Sequence, residues 1–351
     1  MSEIKNTAIN NLDLRILTGI TSSGTPHIGN YIGAIKPAIE SQHSGQAIYF
    51  IADLHSLVKL WDPILRKKYV LEIAATWLAL GLDISKALFY KQSDIPEISE
   101  LAWILMTVAS KGLLNRAHAY KSLVAENLNT PDLNNPDLKN LDPDHGITMG
   151  LFNYPVLMAA DILIFNAHQV PVGKDQIQHI EIARDIAARF NFLYKKEIFV
   201  LPEARIDEAL MVLPGLDGRK MSKSYGNTIP LFEAPEKIQK LINKIKTNSQ
   251  EPHEPKEIKD CVLFNIYKAF GDAQEIKNLE NAYAQGIGWG EVKKILAEKI
   301  AFDLKEPREK YLALMANPSL IESYLKQGAE RARKIARENL YRIKDACGLL
   351  N

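Results

Sequence analysis

The chain has 351 residues, of which 46% are hydrophobic and 24% charged, and its formal net charge is +1. This composition is typical of an ordinary globular protein and excludes a disordered or fibrous chain. No apolar run approaches the ~18 residues of a membrane-spanning helix, and residues 1–11 lack the pattern of a secretory signal. We therefore expect a cytoplasmic protein without a membrane partner. With so little net charge, any polyanion must be bound by a local patch.

Short β-rich runs alternate with amphipathic stretches between residues 14 and 201. The predicted strands cover residues 15–20, 47–53, 87–92 and 169–172. The predicted helices cover residues 26–40, 63–80, 98–109, 155–165 and 174–190. This alternation predicts a Rossmann-like, doubly wound parallel α/β sheet whose ligand lies beyond the carboxyl ends of the strands.

Two later regions depart from this pattern. Residues 126–150 are rich in Asn, Asp and Pro, which predicts a long surface loop, mobile by composition. Beyond Pro230 the β signal disappears, and residues 235–350 place apolar side chains at three- and four-residue spacing. We therefore predict two domains, an α/β domain over residues 1–230 and an α-helical domain over residues 231–351.

Two kinds of residue in the chain are interpreted as structural. Cys261 and Cys347 lie far apart and have no neighbours at metal-ligand spacing, so we predict packing residues and neither a disulfide nor a metal site. The basic residues of the last long helix are interpreted as a solvated face. They are Arg331, Arg333, Lys334 and Arg337.

The first predicted strand runs into a turn at residues 24–30 with the sequence Gly-Thr-Pro-His-Ile-Gly-Asn. Thr25 can cap a helix whose first position is Pro26, and a helix N-terminus is a preformed anion site. His27 and Asn30 share a face and can both donate to phosphate oxygens, while Gly29 permits close approach of a planar group. Taken alone, the turn could also be one that only starts a helix.

A second candidate site occupies residues 218–224, between the two predicted domains. Lys220 and Lys223 are flanked by the hydroxyls of Ser222 and Ser224, which makes a movable cationic clamp suited to triphosphate cleavage. A basic surface loop is the simpler interpretation of this segment alone. Its position downstream of a His-x-Gly-Asn turn, at the edge of an α/β domain, favours the clamp.

These two segments resemble the signatures of one family. The sequence His27-Ile28-Gly29-Asn30 resembles the HIGH motif of class I aminoacyl-tRNA synthetases, and residues 220–224 are identical to their KMSKS motif. Residues 30–34, 154–163 and 170–179 look like the tryptophanyl branch of that family. The resemblance extends from about residue 14 to the C-terminus and is weakest in the helical part.

The resemblance implies an enzyme that activates L-tryptophan with ATP, releases pyrophosphate, and transfers tryptophan to tRNA(Trp). It implies Mg²⁺ bound through the ATP phosphates, and a homodimer whose tRNA bridges two subunits. The catalytic residues would be His27, Asn30, Lys220 and Lys223. Further ATP contacts would come from Thr21, Ser22, Ser23, Gly29, Gly173, Lys174, Asp175, Ile206, Met221, Ser222 and Ser224, with Asp175 at the ribose and Lys121 near the phosphates. Lys174 and the Thr21-Ser22 pair depart from the residues usual in the family.

The amino acid pocket is predicted around Asp161, which shares an apolar helix stripe with Met158. A carboxylate there must be paired, and an acceptor in an apolar slot complements the indole N–H of tryptophan. A structural salt bridge or a helix cap would fit Asp161 equally well. By resemblance, Asp161 contacts the indole nitrogen, Met158 and Leu17 form the ring slot, and His55 and Gln176 lie beside it.

Three alternatives stay open at this stage. A tyrosyl-type enzyme shares the fold, and the hydroxyl of tyrosine can also donate to a carboxylate. A catalytically silent RNA-binding paralogue would keep the fold without the chemistry. A nicotinamide oxidoreductase has a sheet of the right type, but neither its Gly-x-Gly-x-x-Gly fingerprint nor the phosphate-binding Gly-x-x-x-x-Gly-Lys loop of other nucleotide-binding proteins occurs in the turn at residues 24–30.

Overall fold

The computed structural model describes residues 14–130, 140–173, 176–206 and 213–351. Its strands are β1 (Arg15–Thr21), β2 (Gln46–Ala52), β3 (Leu88–Lys91), β4 (Gln169–Pro171) and β5 (Glu203–Arg205). They form one parallel sheet in the order β3-β2-β1-β4-β5. The predicted doubly wound sheet is confirmed, and the strand order reverses between β1 and β4, where such sheets bind ligands. The strand β5 was not predicted, because its three residues are largely exposed and carry no apolar signal.

Helices cover both faces of this sheet. They are α1 (residues 28–40), α2 (Asp53–Ser56), α3 (Pro63–Ala79), α4 (Pro96–Met106), α5 (Lys111–Leu114), α6 (His118–Asn129), α7 (Met149–Leu163) and α8 (Ile177–Tyr194). The run α1 is not uniform, since a π-helical segment, Tyr31–Ile35, separates two short α-helical segments.

The predicted loop at residues 126–150 is shorter than expected. Helix α6 extends into it as far as Asn129, and helix α7 begins at Met149, where the side chain of Thr148 caps it. Pro155, predicted to open this helix, lies inside it. Residues 131–139, which contain the duplicated Pro-Asp-Leu, lie outside the described residues.

The predicted helical C-terminal region is confirmed. It contains α9 (Pro235–Asn243), α10 (Val262–Lys268), α11 (Ala273–Gln285), α12 (Trp289–Asp303), α13 (Lys305–Met315) and α14 (Pro318–Ala346). Its apolar core reaches into the α/β part, because Leu296 and Ile300 of α12 share one cluster with Ile28, Ile32 and Met221. None of the helices in the described ranges is long and apolar enough to cross a membrane. Cys261 and Cys347 are half-buried free thiols packed against apolar clusters.

The last helix, α14, returns to the sheet and covers its edge strand β3. A Cβ atom on Gly328 would lie 1.8 Å from the carbonyl oxygen of Phe89, so the helix lies directly against the strand backbone. Arg331 donates from Nη1 to the carbonyl oxygens of Ile84 (2.6 Å) and Ala87 (3.3 Å). Covering an edge strand in this way protects its unpaired backbone groups. A domain boundary at residue 230 stays a prediction.

The solvated-face interpretation of the basic residues on α14 is incomplete: Arg331 and Arg337 are exposed, but Arg331, Arg333 and Arg337 also bind the α/β part. Arg333 and Arg337 both bind the buried carboxylate of Glu97, at 2.9 and 3.0 Å. Burial alone would raise the pKa of Glu97, but the hydrogen bonds from the two arginines outweigh it and lower the pKa. Lys334 is exposed, in agreement with the interpretation. Three of the four residues therefore attach the last helix to the α/β part.

The close contact at Gly328 predicts a stability difference between two glycine variants. Gly328→Ala should lower the free energy of unfolding by about 1–3 kcal/mol, since the methyl group must push helix and strand apart. Gly290→Ala, at a helical position where a Cβ would meet nothing within 4 Å, is the matched control. It should be neutral, or stabilising by up to about 1 kcal/mol. Urea denaturation followed by circular dichroism measures both, and equal effects would contradict the proposed packing.

Candidate active site

The turn that follows β1 is organised by His27 rather than by Thr25. His27 is the N-cap: its Nδ1 accepts the N–H of Asn30 (3.3 Å), and its own N–H donates to Asn30 Oδ1 (3.2 Å), which forms a capping box. The predicted cap, Thr25, instead donates its hydroxyl to Glu72 Oε2 at 2.8 Å. Because Nδ1 accepts, a neutral His27 carries its proton on Nε2 and can donate it to a ligand oxygen.

Burial gives His27 an unusual electrostatic state. It lowers the pKa of the imidazole to about 4, and the positive charge of Lys223 acts in the same direction. His27 is therefore neutral at pH 7. It can serve as a hydrogen-bond donor to phosphate but adds no positive charge to the site.

The loop at residues 220–224 lies directly on this turn. Lys223 Nζ donates to the carbonyl oxygen of Gly24 at 2.7 Å, joining residues 199 positions apart. Met221 is buried against Gly29, where an added Cβ would lie 3.3 Å from Met221 Cβ. The segment that follows the loop is also bound to the turn by two backbone hydrogen bonds. Ile28 N donates to Ile229 O (3.0 Å), and Leu231 N donates to Pro26 O (3.2 Å). The two predicted motifs thus meet in space.

The two lysines of the loop differ in environment. Lys223 is partly buried, and burial lowers the pKa of its ammonium group to about 8, although the nearby Glu72 carboxylate opposes the shift. Lys220 is exposed, and its carbonyl oxygen accepts a hydrogen bond from Asn227 Nδ2 at 3.1 Å. One cation is thus fixed against the turn while the other faces solvent.

Asp161, on α7, is fully buried and its carboxylate is paired, as predicted. His55 Nε2 lies 2.9 Å from Oδ2, and Gln92 Nε2 donates to Oδ1 and Oδ2 at 2.8 and 2.9 Å. The amide oxygen of Gln92 accepts the backbone N–H groups of Leu54 and His55, so its orientation is fixed. Burial raises the pKa of Asp161, against the opposing effects of His55 and Gln92.

Gln92 was missed in the sequence. The available signal was its position, since it directly follows β3 at the carboxyl end of a parallel strand, where ligand groups are expected. An amide carries no charge and fits no motif, so its pairing with Asp161, 69 residues away, is visible only in three dimensions.

The remaining predicted pocket residues differ in their burial. Leu17 is buried on β1, and Met158 is half-buried one helical turn before Asp161. His179 is buried one helical turn from Gln176, and its Nε2 is hydrogen-bonded to the Tyr154 hydroxyl at 2.9 Å. Gln176, half-buried, donates its backbone N–H to the carbonyl oxygen of Gly173 at 2.9 Å.

The predicted ATP contacts also differ in their surroundings. Ser22 is completely buried behind the turn, whereas Thr21 and Ser23 are exposed. Exposed positions also include Gly173, Ile206 and Lys121. Ser222 and Ser224 share a hydroxyl–hydroxyl hydrogen bond of 2.8 Å. Lys174 and Asp175 lie outside the described residues.

Comparison with known proteins identifies this arrangement. The family model described as class I tRNA synthetases (W and Y) matches residues 10–304. The chain belongs to the tryptophanyl branch of this family. It is 53% identical over 337 residues to a tryptophan–tRNA ligase from Neisseria meningitidis, covering 95% of this chain and 98% of the relative. A tryptophan–tRNA ligase from Xanthomonas axonopodis is 54% identical over 338 residues, covering 95% and 76% of the two chains.

Solved structures of tryptophanyl-tRNA synthetases have the same fold. The Campylobacter jejuni enzyme, crystallised with ADP and tryptophan, has a TM-score of 0.85 and 44% identity, covering 95% of this chain and all of that one. This family membership confirms the predicted resemblance, the fold class and the function of a tryptophan–tRNA ligase. ATP is its second substrate. Of the alternatives, the nicotinamide oxidoreductase is excluded by the family.

The buried state of His27 predicts an acid-sensitive fold. Its pKa is about 4 in the folded chain, below the ordinary value of about 6.5 in the unfolded chain. The unfolded state therefore binds an extra proton between these values, and stability should fall as the pH decreases from about 6.5 towards 4. NMR titration of the His27 ring, assigned by comparison with His27→Asn, should give a midpoint about 4; one near 6.5 would contradict its burial.

Proposed function

We propose that ATP binds between the turn at residues 24–30 and the loop at residues 220–224, beyond the carboxyl end of β1. The observation that carries this proposal is the contact of Lys223 with Gly24, which places an ammonium group against the start of α1. The neutral His27 would donate from Nε2 to a phosphate oxygen beside that ammonium group. Asn30 lies in the first turn of α1, and the free backbone N–H groups at this end of the helix favour the binding of anions.

The reaction needs no protein nucleophile. The tryptophan carboxylate attacks the α-phosphate of ATP in line, which forms tryptophanyl-adenylate and releases pyrophosphate. A ribose hydroxyl at the end of tRNA(Trp) then takes the acyl group, and AMP leaves. Catalysis by this chain is positioning and charge stabilisation: His27 and Asn30 hold phosphate oxygens, while Lys220 and Lys223 follow the charge onto pyrophosphate.

Tryptophan would occupy the space beside Asp161, with its indole N–H directed at the carboxylate. The orientation of that carboxylate is fixed by His55 and Gln92 before the substrate arrives, so little is lost in ordering it. The contacts with His55 and Gln92 leave further acceptor capacity on the carboxylate. The side chain of phenylalanine has no N–H to donate there and would place an apolar ring against it, so phenylalanine should bind less well than tryptophan. Met158 and Leu17 supply apolar walls for the ring.

Three further properties belong to this proposal. Mg²⁺ would arrive with the nucleotide, bound through its phosphates, as the family resemblance implies. The active form would be a homodimer, as the family resemblance implies, and it would work in the cytoplasm, as expected from the sequence. The helical part at residues 231–351 would bind the anticodon end of tRNA(Trp), while the α/β part at residues 1–230 carries the chemistry.

A pyrophosphate-exchange assay with each of the twenty amino acids tests the function. Labelled pyrophosphate should enter ATP when tryptophan is present, and not with the other amino acids at equal concentration. Exchange with tyrosine instead would favour the tyrosyl-type alternative. Absence of exchange with every amino acid would favour the silent RNA-binding paralogue.

Removal of the Lys223 charge should affect the chemistry and not tryptophan binding. Lys223→Ala should lower the activation rate by about 10²- to 10³-fold, because a preorganised charge at the reacting phosphates is lost. The tryptophan dissociation constant, measured by equilibrium dialysis, should change little. Equal losses in activation and tryptophan binding would indicate that the loop has only a structural role.

The pKa of Lys223 predicts how the activity depends on pH, and Lys223→Arg is the matched control. In the free enzyme Lys223 loses its charge as the pH rises through about 8, so kcat/KM for ATP should decline above that pH. Lys223→Arg keeps its charge and should be slower overall but without this decline. A decline that persists unchanged in Lys223→Arg would assign it to another group.

Removal of the Asp161 carboxylate should affect recognition of the amino acid. Asp161→Ala should weaken tryptophan binding and reduce the selectivity for tryptophan over phenylalanine, both measured from KM in pyrophosphate exchange. Circular dichroism must show that the variant is folded, since His55 and Gln92 lose their partner. Unchanged tryptophan affinity in a folded variant would remove Asp161 from the pocket.

A further inference from the structure

Asn227 is a buried residue within an otherwise largely exposed loop. It follows the KMSKS segment and is 3% exposed, whereas Ser224, Tyr225 and Gly226 before it are all exposed. No part of the proposed mechanism uses its side chain. A buried amide in such a place must have its polar atoms satisfied, and here they are.

The side chain of Asn227 bridges the backbone on both sides of Met221. Its Oδ1 accepts the N–H of Ser222 at 2.8 Å, and its Nδ2 donates to the carbonyl oxygen of Lys220 at 3.1 Å. Met221 itself is buried against the turn at residues 24–30, as described above. The Asn227 amide therefore fixes the backbone from Lys220 to Ser222. This segment carries the Lys220 side chain and leads directly into Lys223.

Further contacts fix Asn227 in turn. Its Nδ2 also donates to Asp217 Oδ1 at 2.6 Å, and its backbone carbonyl accepts the N–H of Leu216 at 2.9 Å. Gly215 lies flush against it, since a Cβ there would come within 2.4 Å of Asn227 Cγ and Nδ2. The residue thus ties the two arms of the loop, at 215–217 and 220–222, to each other.

We propose that Asn227 is a positioning residue for ATP cleavage, which holds the loop backbone so that Lys220 and Lys223 reach the phosphates as one rigid unit. This inference rests on the proposed roles of the two lysines. Asparagine suits the position because two donated hydrogen bonds and one accepted hydrogen bond are used together. An aspartate keeps the acceptor and loses both donated bonds, and it would place its charge beside Asp217.

Two variants of Asn227 and one matched control test the proposal. Asn227→Ala and Asn227→Asp should each lower kcat for tryptophan-dependent pyrophosphate exchange by about 10- to 100-fold, since small displacements of positioned groups carry penalties of this size. Tryptophan affinity from equilibrium dialysis should stay within about twofold, because the hydrogen-bond partners of Asn227 are not among the residues of the amino acid pocket proposed around Asp161.

Asn191 provides the control. Its side chain fixes another loop in the same manner, accepting from the N–H groups of Ile198 and Phe199 at 3.1 and 3.0 Å and donating to Phe199 O at 2.8 Å. Asn191→Ala should lower the thermal unfolding midpoint but leave kcat within about twofold of the unaltered chain. A comparable loss of kcat in Asn191→Ala would mean that the Asn227 effect is one of general stability.

A double-mutant cycle distinguishes positioning from independent effects. If Asn227 acts through the lysines, Asn227→Ala should add less than about threefold to the loss already caused by Lys223→Ala. Fully multiplicative losses, or a kcat unchanged in Asn227→Ala, would overturn the proposal. Failure of the unaltered chain to exchange pyrophosphate with tryptophan would instead overturn the proposed function and this inference with it.

Discussion

The contact between Lys223 and Gly24 determines how the rest of this site is assembled. It joins the loop that precedes the helical C-terminal region to the turn after the first strand, and the buried Met221 makes the same connection through apolar packing. An ammonium group bonded to a backbone carbonyl is easily exchanged for a better anionic partner. The loop is thus held near the proposed nucleotide site by a bond that phosphate oxygens could replace.

Burial of this contact sets the charges of the site. The same desolvation lowers the pKa of His27 to about 4 and that of Lys223 to about 8, so at neutral pH the imidazole is neutral and the ammonium is charged. Two adjacent cations would repel each other without a ligand. The division into one neutral donor and one cation lets both groups stand close together in the free enzyme.

The Asp161 network, around which the amino acid pocket is proposed, follows the same logic. A buried carboxylate is costly, and the structure offsets this cost with Gln92 and His55, which come from the carboxyl ends of neighbouring strands. The last helix stabilises this region from outside, because Arg333 and Arg337 bind Glu97 at the start of the helix that follows Gln92. The C-terminal residues are therefore part of the support for the α/β sheet.

The sequence by itself determined the parallel sheet, the helical C-terminal region and the two motifs, because strand and helix periodicity and the motif residues are local patterns. Only the tertiary structure decided that His27 caps the first helix in place of Thr25 and that Gln92 pairs with Asp161. It also decided that Asn227 ties the lysine loop together. These are contacts of single polar side chains, several of them across long separations in the chain. They leave no periodic trace in the sequence, since their energy comes from burial and geometry that exist only after folding.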